Sequence, residues 1–316
     1  MKFHQFLLCA FVAGTLQACM GAVSERDSEW LAPLHQDHAL VGNIWRSSDQ
    51  RFISLEELFQ DFTRHRFILL GEKHDNPDHH RLQRFILQEL QQNASLGAAV
   101  FEMLNSDQQD AVDTLGSVNL ASEPSVREHL QWDDAGWEWP FYGPMLMDVV
   151  SAGVPVKAGN ISRDEMMEIY QGEPDPRIAD VLDAGQVEQL YRDIDESHCG
   201  MLPASQFPAM VRVQQARDAR MAEGLLVAAE GAVRQHALIA GNFHVRRDLG
   251  VPNYLPTSEG SVAALAFMEV NPESQNPADY LQGFSERIPY DYLWFTPAVT
   301  TEDYCASMRG DTSVDQ

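Results

Sequence analysis

Six short apolar runs set the frame for this chain, at residues 67–70, 98–101, 154–158, 237–240, 263–268 and 292–295. Each is four to six residues long, the length of a strand and too short for a buried helix. They lack the apolar–polar alternation of a strand with one wet face, so each predicts a strand covered on both sides. Helical patterns fill several of the gaps. After Asn76, a suitable cap, and Pro77, suited to a first turn, Leu82, Phe85, Ile86 and Leu90 recur on one stripe. Residues 208–229 repeat the pattern with Met210, Val213, Met221 and Leu225 facing inward. Strands alternating with helices predict an α/β fold, a mostly parallel sheet flanked by helices.

Two stretches depart from that alternation. Residues 105–151 start polar and acidic and end dense in aromatics, with Trp132, Trp137, Trp139, Phe141 and Tyr142. The stretch is far longer than a usual connection. It predicts a helical insertion, a lid or small subdomain over the carboxyl edge of the sheet; the plainer meaning of its aromatics is a subdomain core. Residues 174–203 form a similar excursion. The polar residues 19–50 lack sustained periodicity and read as a tether, which leaves residues 51–300 as the folded domain and 301–316 as a tail. No fixed-period repeat or low-complexity tract is present.

The chain opens with Lys2, an apolar run of about ten residues and then Leu16-Gln17-Ala18-Cys19. A bilayer core needs about 20 apolar residues in a helix, so the run is not a membrane span. It has the layout of a secretory signal, residues 1–18, ending in a small residue. The cysteine that follows resembles the lipobox of bacterial lipoproteins, which implies a lipid anchor on Cys19 and a place in the cell envelope. Met20 in place of an aspartate points to the outer membrane. An ordinary cleaved signal that happens to meet a cysteine is the rival reading. Cys199 and Cys305 remain in the mature chain; an exported protein permits a disulfide, and sequence does not say whether the two meet.

With 22 basic and 47 acidic residues the net charge is −25. Such a chain repels the phosphate backbone that dominates nucleic-acid affinity, and it repels anionic lipid, so attachment to a membrane must come from acyl chains. A hydrophobic content of 44% is too high for disorder.

Polar residues cluster where the apolar runs end. Gly71-Glu72-Lys73-His74-Asp75-Asn76-Pro77-Asp78-His79-His80 follows the first run. Ligand sites in open α/β sheets lie outside the carboxyl ends of strands, so three of the 11 histidines sit at a favoured place. His79 and His80 fall in a first helical turn, where the helix dipole disfavours a charged imidazole. Glu102 ends the second run, Asn160 follows the third, and Gly241-Asn242-Phe243-His244 with Arg246 and Arg247 follows the fourth. Two Gly-x-x-His segments thus end two strands. If those strands are neighbours, His74 and His244 converge with Glu72 or Glu102 between them, a set able to hold a divalent cation. Singly, each histidine reads as a cap or surface residue and Glu102 as a helix-capping acceptor; the recurrence after four runs favours a site. No nucleophile elbow, zinc-binding His-Glu-x-x-His helix or phosphate-binding glycine loop is present.

Together the segments Gly71-Glu72-x-His74-Asp75-Asn76-x-x-His79-His80, Trp137/Trp139/Tyr142, His198-Cys199 with Leu202-Pro203, Arg217-Asp218 with Met221-Ala222, and Gly241-Asn242-x-His244-Val245-Arg246 with Asp248-Leu249-Gly250-Val251-Pro252 resemble the ChaN-like haem-binding lipoproteins of the Tiki and erythromycin-esterase-like superfamily. The resemblance covers residues 52–295. It implies an α/β core with helical insertions, and a surface-anchored protein that binds haem and assists iron uptake. It further implies a homodimer that holds haem between two chains, with an outer-membrane haem transporter as partner. Haem needs apolar cover for its ring, donors for its propionates and an axial Tyr or His. On this resemblance Tyr142 is the first choice of axial ligand and His198 the second; Arg246, His79, His80 and the helix N-terminus are the expected propionate donors. The same superfamily offers a rival, a metal-dependent hydrolase using Glu72, His74, Glu102 and His244. A haem-free adaptor that docks to an envelope partner is the third reading.

Overall fold

The computed structural model describes residues 29–229, 234–256, 262–284, 287–302 and 304–309. The signal segment and Cys19 lie outside the described residues. All six apolar runs are strands: β3 (Phe67–Glu72), β4 (Leu96–Asn105), β5 (Val156–Asn160), β6 (Gln235–Gly241), β7 (Val262–Glu269) and β8 (Tyr292–Thr296). Two three-residue strands, β1 (Ile44–Arg46) and β2 (Arg51–Ile53), complete an eight-stranded sheet of order β2-β1-β8-β7-β3-β6-β4-β5. The strands from β8 to β5 pair parallel throughout, while β1 runs antiparallel to β8 and to β2. The fold is therefore α/β with a mostly parallel sheet.

The helices are α1 (Leu55–Phe62), α2 (Pro77–Gln92), α3 (Gln109–Asp113), α4 (Glu123–Leu130), α5 (Trp139–Ser151), α6 (Arg163–Gln171), α7 (Pro176–Ala179), α8 (Ala184–Ser197), α9 (Phe207–Ala229), α10 (Asn242–Val245) and α11 (Tyr304–Arg309). Successive strand residues point to opposite faces, and β3 divides its side chains accordingly. Ile68 and Leu70 join the cluster formed with α1, α2 and α5, while Phe67 and Leu69 join Met221, Ala222 and Leu225 of α9. Both faces are covered, which is why the central strands are apolar without alternation. Asn76 caps α2 by accepting the Asp78 N–H at 3.0 Å. Ile86 and Leu90 are buried, and Leu82 and Phe85 pack against the same core.

Three expectations change. Residues 30–50 are no free tether: Ala32, Leu40 and Ile44 are buried, and β1 extends the sheet. One buried carboxylate holds the entry, since Asp78 accepts the Leu31 and Ala32 N–H groups at 2.8–3.1 Å. The aromatic insertion is helical, but α5 lies beside α2 in a flanking layer, and Trp139, Tyr142, Met145 and Leu146 belong to the main core. The second excursion does the covering: α8 packs on α9 and walls the carboxyl edge of the sheet. The tail also has a role, because a Cys199–Cys305 disulfide ties α11 to the end of α8. No helix among the described residues is long and apolar enough to cross a membrane.

Candidate functional site

The strand order reverses at β3, which lies between β6 and β7. A crevice outside the carboxyl ends is the geometric consequence. A cavity of about 650 Å³ opens there, lined among others by Glu72, Glu102, Gly241 and Glu269 from four strand ends. Close approach needs glycine at two of its edges. A Cβ on Gly71 would lie 2.3 Å from Val245 Cγ2, because α10 packs directly on the end of β3. A Cβ on Gly241 would lie 2.9 Å from His74 Cε1.

Register sets Glu72 beside Gly241 on adjacent strands, and this brings the two Gly-x-x-His segments together. His74 Nδ1 meets Glu72 Oε1 at 2.6 Å, and the Tyr142 hydroxyl donates to the same oxygen at 3.1 Å. Across the crevice the Gly241 N–H donates to Glu102 Oε2 at 2.8 Å. His244 then bridges two carboxylates, with Nε2 3.3 Å from Glu102 and Nδ1 2.6 Å from Asp218. Lys73 closes the rim through an ion pair to Glu269 at 3.0 Å.

The charges of this network are mutually set. Burial pulls the His244 imidazole down, but Glu102 and Asp218 outweigh it and hold the ring up at about 10. Burial likewise opposes the charge on His74, and the Glu72 hydrogen bond overrides it, to about 9. Burial pushes Glu102 up, yet the His244 charge and hydrogen bond bring it to about 2. Burial raises the Asp218 carboxyl, with His244 offsetting part of the effect. The carboxylates thus favour the charged form of both imidazoles, most strongly for the buried His244. Among the described residues no group of three or more His, Cys, Asp or Glu side chains is placed to hold a metal ion.

The remaining predicted site residues fall elsewhere or are already engaged. His79 is fully buried, its Nδ1 accepting the Lys73 N–H and its Nε2 bonded to Thr296. His80 stacks on Phe141 at 4.6 Å and bonds the His74 carbonyl. Burial drives both rings towards the neutral form, so neither is a charged donor for a propionate. Arg246 is 1% exposed and paired with Asp193 and Asp248 at 2.6 and 2.7 Å. Its guanidinium is spent inside the protein. Asn160 turns back on the chain to accept the Ile161 N–H and does not line the cavity. Tyr142 is 1% exposed behind Glu72, and burial followed by the Glu72 charge pushes its phenol far above the usual range.

A family profile described as haem-binding uptake, Tiki superfamily, ChaN matches residues 58–255. The chain belongs to this family. Among solved structures it is similar to ChaN of Campylobacter jejuni, described for cofacial haem binding, at 24% identity and a TM-score of 0.66, covering 79% of this chain and 95% of that one. An erythromycin esterase in its open conformation aligns at 12% identity and a TM-score of 0.43, over 68% of this chain and 73% of that one. A type III effector aligns at 12% and 0.42, over 76% and 92%. No curated protein matches the sequence. The ChaN likeness shows the fold, and the profile shows the family.

This ChaN-family chain has a second cavity, of about 500 Å³, behind the first. Met166, Met167 and Tyr170 come from α6, Met210 and Val213 from α9, and Ile194, Ser197 and His198 from the end of α8. Gln214 and Arg217 line both cavities. His198 Nδ1 is fixed 2.7 Å from the Ile194 carbonyl, while its Nε2 has no partner among the described residues. Sequence reasoning placed His198 outside the strand pattern and did not see this chamber, since its lining comes from three separated helices. Asp218 was also missed as a site residue. Its signal was a carboxylate on the apolar stripe of α9, between Val213 and Met221.

Proposed function

We propose that this chain is a haem-binding lipoprotein of the bacterial envelope that assists haem uptake. One observation carries the reading: a methionine-lined chamber, in a member of the haem-binding ChaN family, that presents a histidine with one ring nitrogen anchored and the other open. Ligating histidines characteristically give their second ring nitrogen to a carbonyl or carboxylate, which fixes the tautomer and aims the ring. His198 has that arrangement with Ile194. The chamber volume lies within the ~300–1,000 Å³ range of cofactor pockets, and Met166, Met167, Met210 and Tyr170 offer the soft apolar cover that a flat ring takes. These residues fit haem as cargo. His198 is accordingly the axial ligand in this reading, because the Tyr142 phenol lies buried against a carboxylate and lines neither cavity.

The rest of the reading rests on sequence. The signal-like opening and Cys19 support a lipid anchor, with the outer membrane as destination. The family resemblance supports a homodimer that shares haem and a transporter that receives it.

A haem titration of residues 20–316, followed by absorbance and by size in solution, tests the function. A saturable Soret shift, abolished or displaced in His198→Ala and unchanged in Tyr142→Phe, is the expected outcome. Absence of any saturable shift would remove the haem reading and leave the fold intact.

A further inference from the structure

We infer that Arg217 is the carboxylate clamp of this protein, holding an acid group of a flat apolar ligand where the two cavities meet. The inference rests on the haem reading and names the group that haem would present there.

Arg217 lines both the carboxyl-edge cavity and the methionine chamber. Among the described residues its Nε is buried without a hydrogen-bond partner, and the one contact of a terminal nitrogen is with the Met166 sulfur, at 3.8 Å. A thioether is a weak acceptor. A guanidinium nitrogen withdrawn from water and left without an acceptor costs stability unless something supplies one. The described residues supply none: the neighbouring Asp218 is committed to His244 at 2.6 Å, and no ion pair to Arg217 occurs among them. The other basic groups at the carboxyl-edge cavity are spent. Arg246 is paired with Asp193 and Asp248, Lys73 with Asp75 and Glu269, and His74 and His244 with glutamates. Arg217 is thus the guanidinium there without an ion pair among the described residues.

Chemistry then limits the ligand. The planar fork of arginine matches a carboxylate in bidentate fashion. In a chain of net charge −25, an anion is repelled over most of the surface, and a cation without an ion pair at the cavity favours its admission there. The surroundings of Arg217 are divided: Met166, Met167, Met210 and Tyr170 on one side, the polar strand-end network on the other. A ligand that spans the junction needs an apolar body and an acidic edge. A porphyrin with free propionates has both, and its esterified form has only the body.

The test compares haem with iron protoporphyrin dimethyl ester, titrated into the protein and into Arg217→Gln and Arg217→Lys by Soret absorbance and tryptophan quenching. A charge-assisted pair corresponds to a preference of roughly 10- to 100-fold. The protein is expected to favour the diacid over the diester by that factor. Arg217→Gln is expected to lose the preference by weakening the diacid alone, with Arg217→Lys recovering part of it. Equal binding of diacid and diester by the unaltered protein overturns the clamp while the haem reading stands. So does an Arg217→Gln variant that keeps the preference, or one that loses both ligands together. Failure of the unaltered protein to bind either compound overturns the haem reading and the clamp with it.

Discussion

The two cavities share Gln214 and Arg217 as a wall, yet they differ in how their polar groups are satisfied. At the carboxyl edge, charges meet their opposites inside the protein: His244 between Glu102 and Asp218, His74 on Glu72, Lys73 on Glu269. The methionine chamber is the reverse, with a half-engaged His198 and an Arg217 whose best acceptor is a sulfur. A network whose charges pair with one another stabilises and shapes the fold, even with Glu72 Oε2 left without a partner among the described residues. A set of groups left incomplete is where a ligand gains most by arriving. On the proposed reading, the position favoured by strand topology serves as the scaffold and the adjoining chamber takes the ligand.

The largest effect should come from breaking the scaffold. His244→Ala removes the cation between two buried carboxylates, and loss of one partner from a buried ion pair costs about 3–5 kcal/mol. Urea unfolding should show a loss of that order, with haem affinity of the folded fraction nearly unchanged. A loss under about 1 kcal/mol, the range of surface pairs, would mean that the network is solvated and the comparison false.

The same network gives stability a pH dependence. His244 is held up at about 10 against an ordinary value of 6.5. A raised folded value stabilises below the unfolded value, and that stability is lost as pH rises through the folded one. Stability should therefore fall between pH 6.5 and about 10, with a slope of up to about 1.4 kcal/mol per pH unit from this group. His74, held at about 9, adds in the same direction. Urea midpoints at successive pH values measure the slope, and a flat profile over this window, or one that rises, contradicts buried imidazolium.

The chamber should respond oppositely to the scaffold. His198→Ala is expected to weaken haem by about tenfold or more, a step of ~1.4 kcal/mol, and to shift the Soret band, with urea stability nearly unaltered. Tyr142→Phe should leave the spectrum in place and cost about 1 kcal/mol of stability, the worth of one hydrogen bond. Exchange of those two outcomes would return the iron to Tyr142.

This division explains what could be read in the sequence. Strands covered on both faces write themselves as apolar runs, so β3 to β8 and the polar residues at their ends were legible. The edge strands β1 and β2 are three residues each, and Arg46, Arg51 and Phe52 are partly or fully exposed, so no run marks them. Residues 30–50 carry no periodicity because Asp78 on the Leu31 and Ala32 N–H groups, the pairing of β1 and a few scattered buried side chains hold them, not a stripe. Aromatic density in residues 132–142 marks core and lid alike, and only the packing of α5 on α2 decides between them. Least legible was the chamber. Met166, His198 and Met210 are neighbours because α6 and α8 both pack on α9, and nothing in their local sequence states that.

The smallest effect sharpens the comparison most. His74 and His244 sit in matching Gly-x-x-His segments, yet the His74 side chain is 51% exposed and that of His244 is 7% exposed. Solvent screens an exposed pair, so the raised value of His74 overstates what its pairing contributes. In His74→Gln, Glu72 still accepts from the Tyr142 hydroxyl, and its other oxygen already lacks a partner. The stability loss should stay below about 1 kcal/mol, several-fold less than for His244→Ala, and haem affinity should not move because His74 does not line the methionine chamber. Urea unfolding and haem titration of the two variants side by side decide it. Equal losses would mean that both histidines belong to one buried network. A selective fall in haem affinity in His74→Gln would move the ligand from the chamber to the carboxyl edge.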